Sequence, residues 1–555
     1  MRRFTSVAVL AAAGLLAAAC GGSSSSSSSS SSSAPSGVLT IDNESGGTWT
    51  CDFNPFNLSY ISYSLGNVYE PLLFINTLQN AKASPWLASG YAWSNGNKTL
   101  TFTIRNGVKF SNGDPLTAAD VAYTFNLLKA HKTLDINSVW SVLSSVTQQG
   151  SNQVVMQFKS VAVPYFYYIG DQIGIVDHKV WSKIANPVTY SDPHPVGTGP
   201  YMVNPCTGQN ITYTANPHFW QPGLPHIKKV QYPAFTSNNT ANDQLANGQA
   251  QWGSQYIPGI KAFYTSKSAD NHYWFPPTVN VSLVPNLTNP LLANVKVRQA
   301  MSYAIDRAKV SSIGESGYEP PANQAGIVTP TFSSWLNSSL TSKYKFTYDT
   351  TKAKQLLASA GFKLGSDGIM ANSKGQKLSF TVINIGDYSD WVASMQVIQQ
   401  NLKAIGIQLT PSNLAAPSFN AALYSGKYQL AYYDQQSFGP GPYYELRNWL
   451  DSHNTAPIGK TAVSNYERYI NPAVDKLLLT YAGTTSTAEQ HSIVNQLEQV
   501  MLTQLPVIPV VEAVDWYQYN TGKITGWPTP GNPYAQPAAY AYPDMEQVLL
   551  HLQPK

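Results

Sequence analysis

Cysteine, charge and long apolar runs are all scarce in this chain of 555 residues. Charged residues make up 12% of it, about half of the usual ~25%. The 34 basic and 30 acidic residues give a formal net charge of +4. That charge leaves no basic stripe able to neutralise many phosphates, so nucleic acid is excluded as a partner. Beyond residue 35, no run approaches the ~18 consecutive apolar residues of a membrane-spanning helix.

Catalytic motifs are lacking as well. The chain has no His-Glu-x-x-His, no Gly-x-Ser-x-Gly, no complete Walker loop and no Gly-x-Gly-x-x-Gly. Its one Ser-x-x-Lys, from Ser342 to Lys345, has no accompanying Lys-Thr-Gly triplet, and the nine histidines are scattered. The sequence therefore predicts no catalytic residue, no metal site and no cofactor.

Aromatic residues are what the chain has in excess. With 34 Tyr, 19 Phe and 13 Trp, aromatics reach 12%, and the apolar total is 43%. This content gives the chain ample surface to bury and excludes disorder as a global state. At roughly 150 residues per domain, the length predicts about three to four folding units.

The first 20 residues have the pattern of an export signal. Arg2 and Arg3 form a positive start, and Val7 to Ala19 is an apolar stretch too short to span a bilayer. Cys20 follows three alanines and precedes two glycines, which resembles a bacterial lipobox whose cysteine becomes lipidated. The alternative is an ordinary cleaved secretory signal with an incidental cysteine.

Eleven consecutive serines, Ser23 to Ser33, follow the signal. A serine run has no side chains with which to form a core, so residues 21–37 are predicted to be a flexible tether. Together with a lipidated Cys20, this tether predicts an exported protein anchored at the outer face of the cytoplasmic membrane.

Two further cysteines remain, Cys51 and Cys206. In an exported protein an even number favours a disulfide, and two buried free thiols are the alternative. Two cysteines without further ligands nearby argue against a structural zinc site.

Alternating strand and helix patterns predict mixed α/β construction. Leu100, Phe102 and Ile104 alternate with threonines, as in a half-buried strand. Thr117 and Asp120 form an acidic variant of the capping box at the start of a helix. Further helices are predicted over 297–307, 350–360 and 391–405, and further strands near 154–158, 229–235 and 378–383.

Five segments, taken in order, resemble bacterial extracellular solute-binding proteins of family 5, the oligopeptide, dipeptide and nickel group. They are Leu100 to Val121, Pro195 to Tyr201, Asn216 to Tyr232, Val297 to Arg307 and Lys352 to Phe362. The resemblance covers roughly residues 38 to 550. It implies a type II periplasmic-binding-protein-like fold, in which two α/β lobes are joined by two hinge crossings and the larger lobe carries an extra subdomain.

Carried onto this chain, the resemblance implies definite domain boundaries. The larger lobe is expected at 38–280 and 507–555 with an inserted subdomain at about 86–190, the smaller lobe at 281–506, and the crossings near 279–286 and 505–511. Ligand would sit in the cleft between the lobes, and closure about the hinge would bury it. The implied function is the extracytoplasmic solute-binding component of an ABC importer, a monomer that delivers its ligand to the permease subunits.

The tyrosine-rich stretch around Asp434 is the main candidate for ligand binding. In peptide-binding relatives this region lines the cleft and contains an aspartate that pairs with the peptide α-ammonium. Asp434 is the nearest candidate for that role, with Tyr432, Tyr433 and Gln435 beside it. The alternative is a packed loop that makes no ligand contact.

Other features favour a neutral ligand. The run from Gly439 to Tyr443 looks more like oligosaccharide-binding members, whose aromatic platforms suit the apolar face of a sugar ring. Gln251 stands about where relatives commonly carry aspartate. We therefore expect a peptide-like ligand, with an oligosaccharide as the alternative and a secreted enzyme as the rival from another class. Further cleft candidates, each of which could equally belong to the core, are Tyr60, Trp252, Tyr256, Trp274 and Trp391.

Overall fold

A computed structural model describes the chain in five stretches, residues 37–43, 47–59, 61–329, 331–434 and 439–555. The predicted signal peptide, Cys20 and residues 21–36 of the predicted tether lie outside the described residues. Strands and helices alternate through the rest, which confirms the α/β class.

One of the two main sheets has seven strands. Its central strand, Val38–Asp42, runs parallel to both neighbours, and the outer pairs are antiparallel. Leu39 and Ile41 of this strand are fully buried, as expected where a parallel sheet is covered on both faces. The spatial order is Asn271–Tyr273, Gln518–Asn520, Trp252–Gly253, Val38–Asp42, Lys229–Pro233, Asn210–Ala215 and Tyr201–Thr207.

The other main sheet has five strands. Ser379–Ile385 is parallel to the strands on either side, whereas Pro277–Pro285 is antiparallel to both of its neighbours. The spatial order is Gln408–Leu414, Ser379–Ile385, Leu430–Asp434, Pro277–Pro285 and Ile508–Val514.

In the described residues the chain passes between the two main sheets twice. It leaves the seven-stranded sheet after Tyr273 and enters the five-stranded sheet at Pro277, and it returns between Val514 and Gln518. These two passages, residues 274–276 and 515–517, hydrogen-bond to each other: the Asp515 N–H donates to the Pro276 carbonyl at 2.8 Å, and the Trp274 N–H donates to that of Tyr517 at 3.0 Å. The hinge segment expected near 279–286 lies mostly in strand Pro277–Pro285, which follows the first passage. The one expected near 505–511 overlaps strand Ile508–Val514, which precedes the second passage.

A separate four-stranded antiparallel sheet follows the first strand of the chain. The strand predicted from the alternating threonines is Thr99–Ile104, in which every second residue is buried. The helix predicted after it is Ala118–Ala130, and the Thr117 N–H donates to the Asp120 carboxylate at 2.8 Å, which confirms the capping box. The spatial order of the sheet is Ala88–Ser94, Thr99–Ile104, Gln153–Phe158 and Leu143–Gln149.

The remaining elements are mostly helices that cover the sheets. Asp349 caps one of the predicted helices by accepting from the Lys352 N–H at 2.8 Å, and Gly361 follows that helix with a φ of 85°, a conformation that favours glycine. That helix is Thr350–Ser359. Besides it and Ala118–Ala130, the α-helices of the described residues are Ile61–Ser64, Tyr165–Asp171, His178–Trp181, Asn238–Ala246, Ile260–Phe263, Val295–Ala304, Arg307–Lys309, Ser338–Lys343, Ser389–Lys403, Ala416–Ser425, Pro442–Leu450, Pro472–Gly483, Thr487–Gln504 and Asp544–His551, with a π-helix at Val310–Gly314. Short strand pairs are Leu73–Asn76 with Lys82–Pro85, Lys363–Leu364 with Met370–Ala371, and Ile524–Thr525 with Gln553–Pro554.

The glycines of the Pro195 to Tyr201 segment allow two backbones to touch. A Cβ atom on Gly197 would lie 1.9 Å from the carbonyl oxygen of Val68, and one on Gly199 would lie 2.7 Å from it. The Gly199 N–H donates to that same oxygen at 2.8 Å. Only glycine fits this approach, which explains why the segment contains two of them.

Cys51 and Cys206 form a disulfide that closes a loop with a sequence separation of 155 residues. Cys206 belongs to the edge strand of the seven-stranded sheet, and Cys51 lies in the segment that follows its central strand. Among the described residues, no helix combines the length and the apolar character needed to cross a membrane.

Candidate ligand-binding cleft

A cavity of about 190 Å³ lies between the two main sheets. Its floor is formed by the two strands that lead into the passages, through Thr278, Val279 and Val281 on one and Ala513 and Val514 on the other. These strands pair antiparallel, with Asn280 opposite Glu512. The cavity therefore sits directly on the connection between the two sheets.

Aromatic side chains form much of the wall on both sides. Trp391 meets Tyr388 edge to face, with ring centroids 5.2 Å apart. Such aromatic surfaces can cover apolar parts of a ligand. The aromatic residues of the wall are Trp49, Tyr63, Trp516, Tyr540 and Tyr542 on the side of the seven-stranded sheet, and Tyr388, Trp391, Tyr424 and Tyr433 on the other.

Four carboxylates also line the cavity: Glu319, Asp390, Asp434 and Asp515. Burial raises the pKa of Asp390 to about 7 and that of Asp434 to about 6. Burial also raises the pKa of Asp515 and of Glu319 well above the ordinary range, and for Glu319 the nearby Glu315 and Asp390 raise it further. The cleft is acidic, and its acids are costly to ionise without a positive partner.

Hydrogen bonds join the two sides of the cleft. The Asn238 side-chain amide, from a helix beside the seven-stranded sheet, donates to the Asp390 carboxylate at 3.3 Å. The hydroxyl groups of Tyr256 and Ser316 also bond across the cleft, and the Tyr444 hydroxyl donates to the Pro164 carbonyl at 3.0 Å. The described conformation is thus one in which the two sides are in contact.

A second chamber of about 110 Å³ adjoins the first and shares Leu58, Tyr424, Tyr433 and Tyr542 with it. Arg447 lines this chamber. Its guanidinium lies 5.0 Å and 5.2 Å from the ring centroids of Tyr165 and Tyr168, and its Nε is 3.3 Å from an Asp451 oxygen. The chamber is therefore tyrosine-lined and carries a cation that Asp451 already neutralises.

Three of the predicted ligand-binding residues lie in the cavity wall: Trp391, Tyr433 and Asp434. Two lie one layer behind it. Tyr432 is fully buried and packs edge to face on Trp391 with centroids 5.5 Å apart, and Tyr256 packs on Trp516 with centroids 5.4 Å apart.

The other predicted residues lie elsewhere. Trp252 is fully buried in the seven-stranded sheet, where its Nε1 donates to the Pro537 carbonyl at 3.0 Å and its ring packs against Trp527. Trp274 belongs to the first passage between the sheets and is not part of the cavity wall. Tyr60 and Gln435 lie outside the described residues, and the predicted lipidation site, Cys20, does so too.

Sequence reasoning missed several wall residues. Asp390 lies in the first turn of the helix that carries Trp391, and Asp515 and Trp516 directly follow the strand Ile508–Val514 in the second passage. The acid–tryptophan pairs 390–391 and 515–516 were a visible signal, since both stand at element ends. Glu319 stands in an irregular segment, and no local pattern marks it.

Two acid–histidine groups among the described residues have donor atoms close enough to hold a metal ion: Asp120, Asp177 and His178, and Asp451, His453 and Asp475. Both groups lie outside the cavity wall. Asp120 is occupied in the capping box, and the Asp475 oxygens accept from the N–H and the hydroxyl of Ser452. Their geometry is accounted for by local hydrogen bonding.

Two α/β lobes, connected twice and enclosing a polar and aromatic cleft, define a two-lobed solute-binding protein. Residues 82–457 match the bacterial extracellular solute-binding proteins, family 5, in the part described as its middle. The chain belongs to this family, which confirms the resemblance stated from the sequence.

Known proteins similar to the chain carry several different ligands. The glutathione-binding protein GsiB of Salmonella paratyphi A is 25% identical over 452 residues, which cover 78% of this chain and 81% of that protein. A periplasmic oligopeptide-binding protein of an ABC transporter from Thermotoga maritima, solved with mannohexaose, superposes with a TM-score of 0.86 at 24% identity, covering 93% of this chain and 98% of that one. The oligopeptide-binding protein AppA of Bacillus subtilis, solved with a nonapeptide, gives a TM-score of 0.78 at 20% identity, covering 93% and 99%. These structures confirm the two-lobed fold.

Proposed function

We propose that the protein captures a peptide-like oligomer in the cleft between its sheets and delivers it to the permease of an ABC importer. The observation that carries this proposal is the cavity itself, which residues of both lobes line and which lies on their connection. Closure about such a connection buries a ligand and marks the loaded state for a partner.

The wall chemistry supports an amine-bearing ligand. Asp434, at the end of strand Leu430–Asp434, offers a carboxylate to an ammonium group, while Trp391 and Tyr433 cover its neighbours. Relatives whose names or structures refer to glutathione and to a nonapeptide favour the same class.

An oligosaccharide is the second candidate. It is favoured by the nine aromatic side chains of the wall and by the Asn420 amide, which together can stack on sugar rings and bond their hydroxyls. The mannohexaose bound to the Thermotoga structure supports this alternative.

The protein acts without chemistry on its ligand, since transfer to a permease requires the solute intact. It works as a monomer outside the cytoplasmic membrane, held there by a lipid on Cys20. Labelling with a palmitate analogue tests the anchor: the wild-type chain incorporates the label and Cys20→Ala does not. Label in the Cys20→Ala chain would contradict it.

Calorimetric titration of the purified protein with di- to pentapeptides and with manno-oligosaccharides tests the ligand class. We expect saturable binding of peptides, with the ligand recovered unchanged by mass spectrometry. Asp434→Asn should cost at least about tenfold in peptide affinity and much less in sugar affinity, because only the ammonium forms a charge-assisted bond. Asp367→Asn, an exposed acid paired with Lys377, is the matched control. Turnover in place of saturable binding would overturn the proposal.

A further inference from the structure

The charges of the cavity wall are all of one sign. Glu319, Asp390, Asp434 and Asp515 line it, and none of the described lining residues is Lys, Arg or His. A set of buried acids facing a cavity needs a positive partner, because ionised carboxylates lose their hydration there.

Asp515 is the clearest case of a wall carboxylate that lacks a hydrogen-bond partner. Its side chain is 1% exposed, it belongs to the cavity wall, and neither of its oxygens has a hydrogen-bond partner. Buried polar groups in folded proteins are almost always hydrogen-bonded, so an unpaired carboxylate that lines a cavity points to a donor brought by the ligand.

Glu319 repeats this arrangement in the wall beside Val514. It is also 1% exposed. Its Oε1 accepts from the Val514 N–H at 3.3 Å, and its Oε2 has no partner. The charges of Glu315, Asp390 and Asp434 all raise the pKa of Glu319, and of these three acids Asp390 and Asp434 line the cavity with it. Asp515 differs from Asp390 and Asp434 in its position, because it lies in the passage that returns to the seven-stranded sheet.

We propose that the solute carries at least two ammonium groups, one bound by Asp515 and another by Glu319 with Asp390 and Asp434. This inference rests on the proposed function and narrows its ligand class. A peptide with a basic residue and a free polyamine present the same chemistry from two sources.

A ligand with two ammonium groups also explains how closure of the cleft can be coupled to ligand binding. Asp515 stands in the passage that returns to the seven-stranded sheet, whereas Asp390 and Asp434 belong to elements of the five-stranded lobe. Closing an empty cleft brings like charges toward each other or forces them to take up protons. A ligand with two ammonium groups neutralises both sides at once.

Calorimetric titration of the purified protein tests the inference with four probes: the peptide Lys-Ala-Ala, its analogue with norleucine in place of lysine, spermidine, and mannohexaose. We expect Lys-Ala-Ala or spermidine to bind at least about tenfold tighter than the norleucine analogue. The analogue lacks the side-chain ammonium group and therefore cannot form the second buried charge pair. Whichever of these two probes binds more tightly shows whether the ammonium groups belong to a peptide or to a polyamine.

Substitutions in the cavity wall test which acids bind the ammonium groups. Asp515→Asn and Glu319→Gln should each reduce the preference for the second ammonium to below about threefold. Asp367→Asn, an exposed acid outside the cavity wall, should leave it intact. Equal affinity for Lys-Ala-Ala and its norleucine analogue overturns this inference and leaves the proposed function standing. Tighter binding of mannohexaose overturns this inference and favours the oligosaccharide over the peptide-like ligand. Absence of saturable binding by all four probes counts against both.

Discussion

Replacing Asp390 by Asn should stabilise the ligand-free protein, and increasingly so as the pH rises. Burial raises the pKa of Asp390 from 3.8 to about 7. The folded protein therefore holds a proton that the unfolded chain releases between about pH 4 and pH 7, so the free energy of unfolding falls as the pH rises through that window.

The size of the effect follows from that pKa difference. A rise from 3.8 to about 7 corresponds to a destabilisation of about 2 kcal/mol at pH 5 and about 4 kcal/mol at pH 8. Asn cannot ionise, and its side-chain oxygen can still accept the bond from Asn238. The advantage of the variant over the wild type should therefore grow by about 2 to 3 kcal/mol between these two pH values.

Urea denaturation followed by tryptophan fluorescence at pH 5 and pH 8 measures this difference. Asp367→Asn is the control, because Asp367 is exposed and its hydrogen bond with Lys377 lowers its pKa. That variant should show no growing advantage. If Asp390→Asn followed the wild type at both pH values, the carboxylate would be as easily ionised in the folded protein as in water, and the account of an uncompensated acidic cleft would be wrong.

Three further predictions concern stability and ligand signalling. Replacing both Cys51 and Cys206 by Ser should lower the free energy of unfolding by up to about 5 kcal/mol, the loop-closure value for a separation of 155 residues; a loss below about 1 kcal/mol in urea denaturation would contradict the entropic account. Gly197→Ala should destabilise by at least about 3 kcal/mol, since its Cβ would meet the Val68 carbonyl at 1.9 Å, whereas Gly90→Ala, with open space around it, should be neutral; equal thermal midpoints would refute this reasoning. Trp516→Phe should reduce the fluorescence change on ligand binding, because Trp516 is one of three tryptophans among the described residues of the cavity wall; an unchanged signal would assign the change to Trp49 or Trp391.

Much of the fold was predictable because its signals are local. The alternation around Phe102 and the capping pair Thr117 and Asp120 depend on spacing within one element, and each has the structure that the spacing indicated. Gly361 ends its helix for a reason equally local, its left-handed backbone.

The cleft was predictable only in part, because burial there depends on distant parts of the chain. Trp252 has the residue type of a ligand platform, yet Trp527 packs against its ring and the Pro537 carbonyl accepts from its Nε1, and both residues come from the far end of the sequence. Glu319 has no helical or strand pattern, so nothing near it in sequence indicates that it faces a cavity. Asp434 was found through the family resemblance, whereas Trp391 stood at the head of a predicted helix and could equally have belonged to the core.

The two passages between the sheets run side by side and are bonded to each other, with Pro277 opposite Val514 where the strands end. Paired connections of this kind resist shear and leave rotation about one axis as the easy motion. The effect of a covalent crosslink should therefore depend on its position. A crosslink between the two passages should leave opening and closing of the cleft unaffected, whereas a crosslink between the two lobes at the open edge of the cleft should block both.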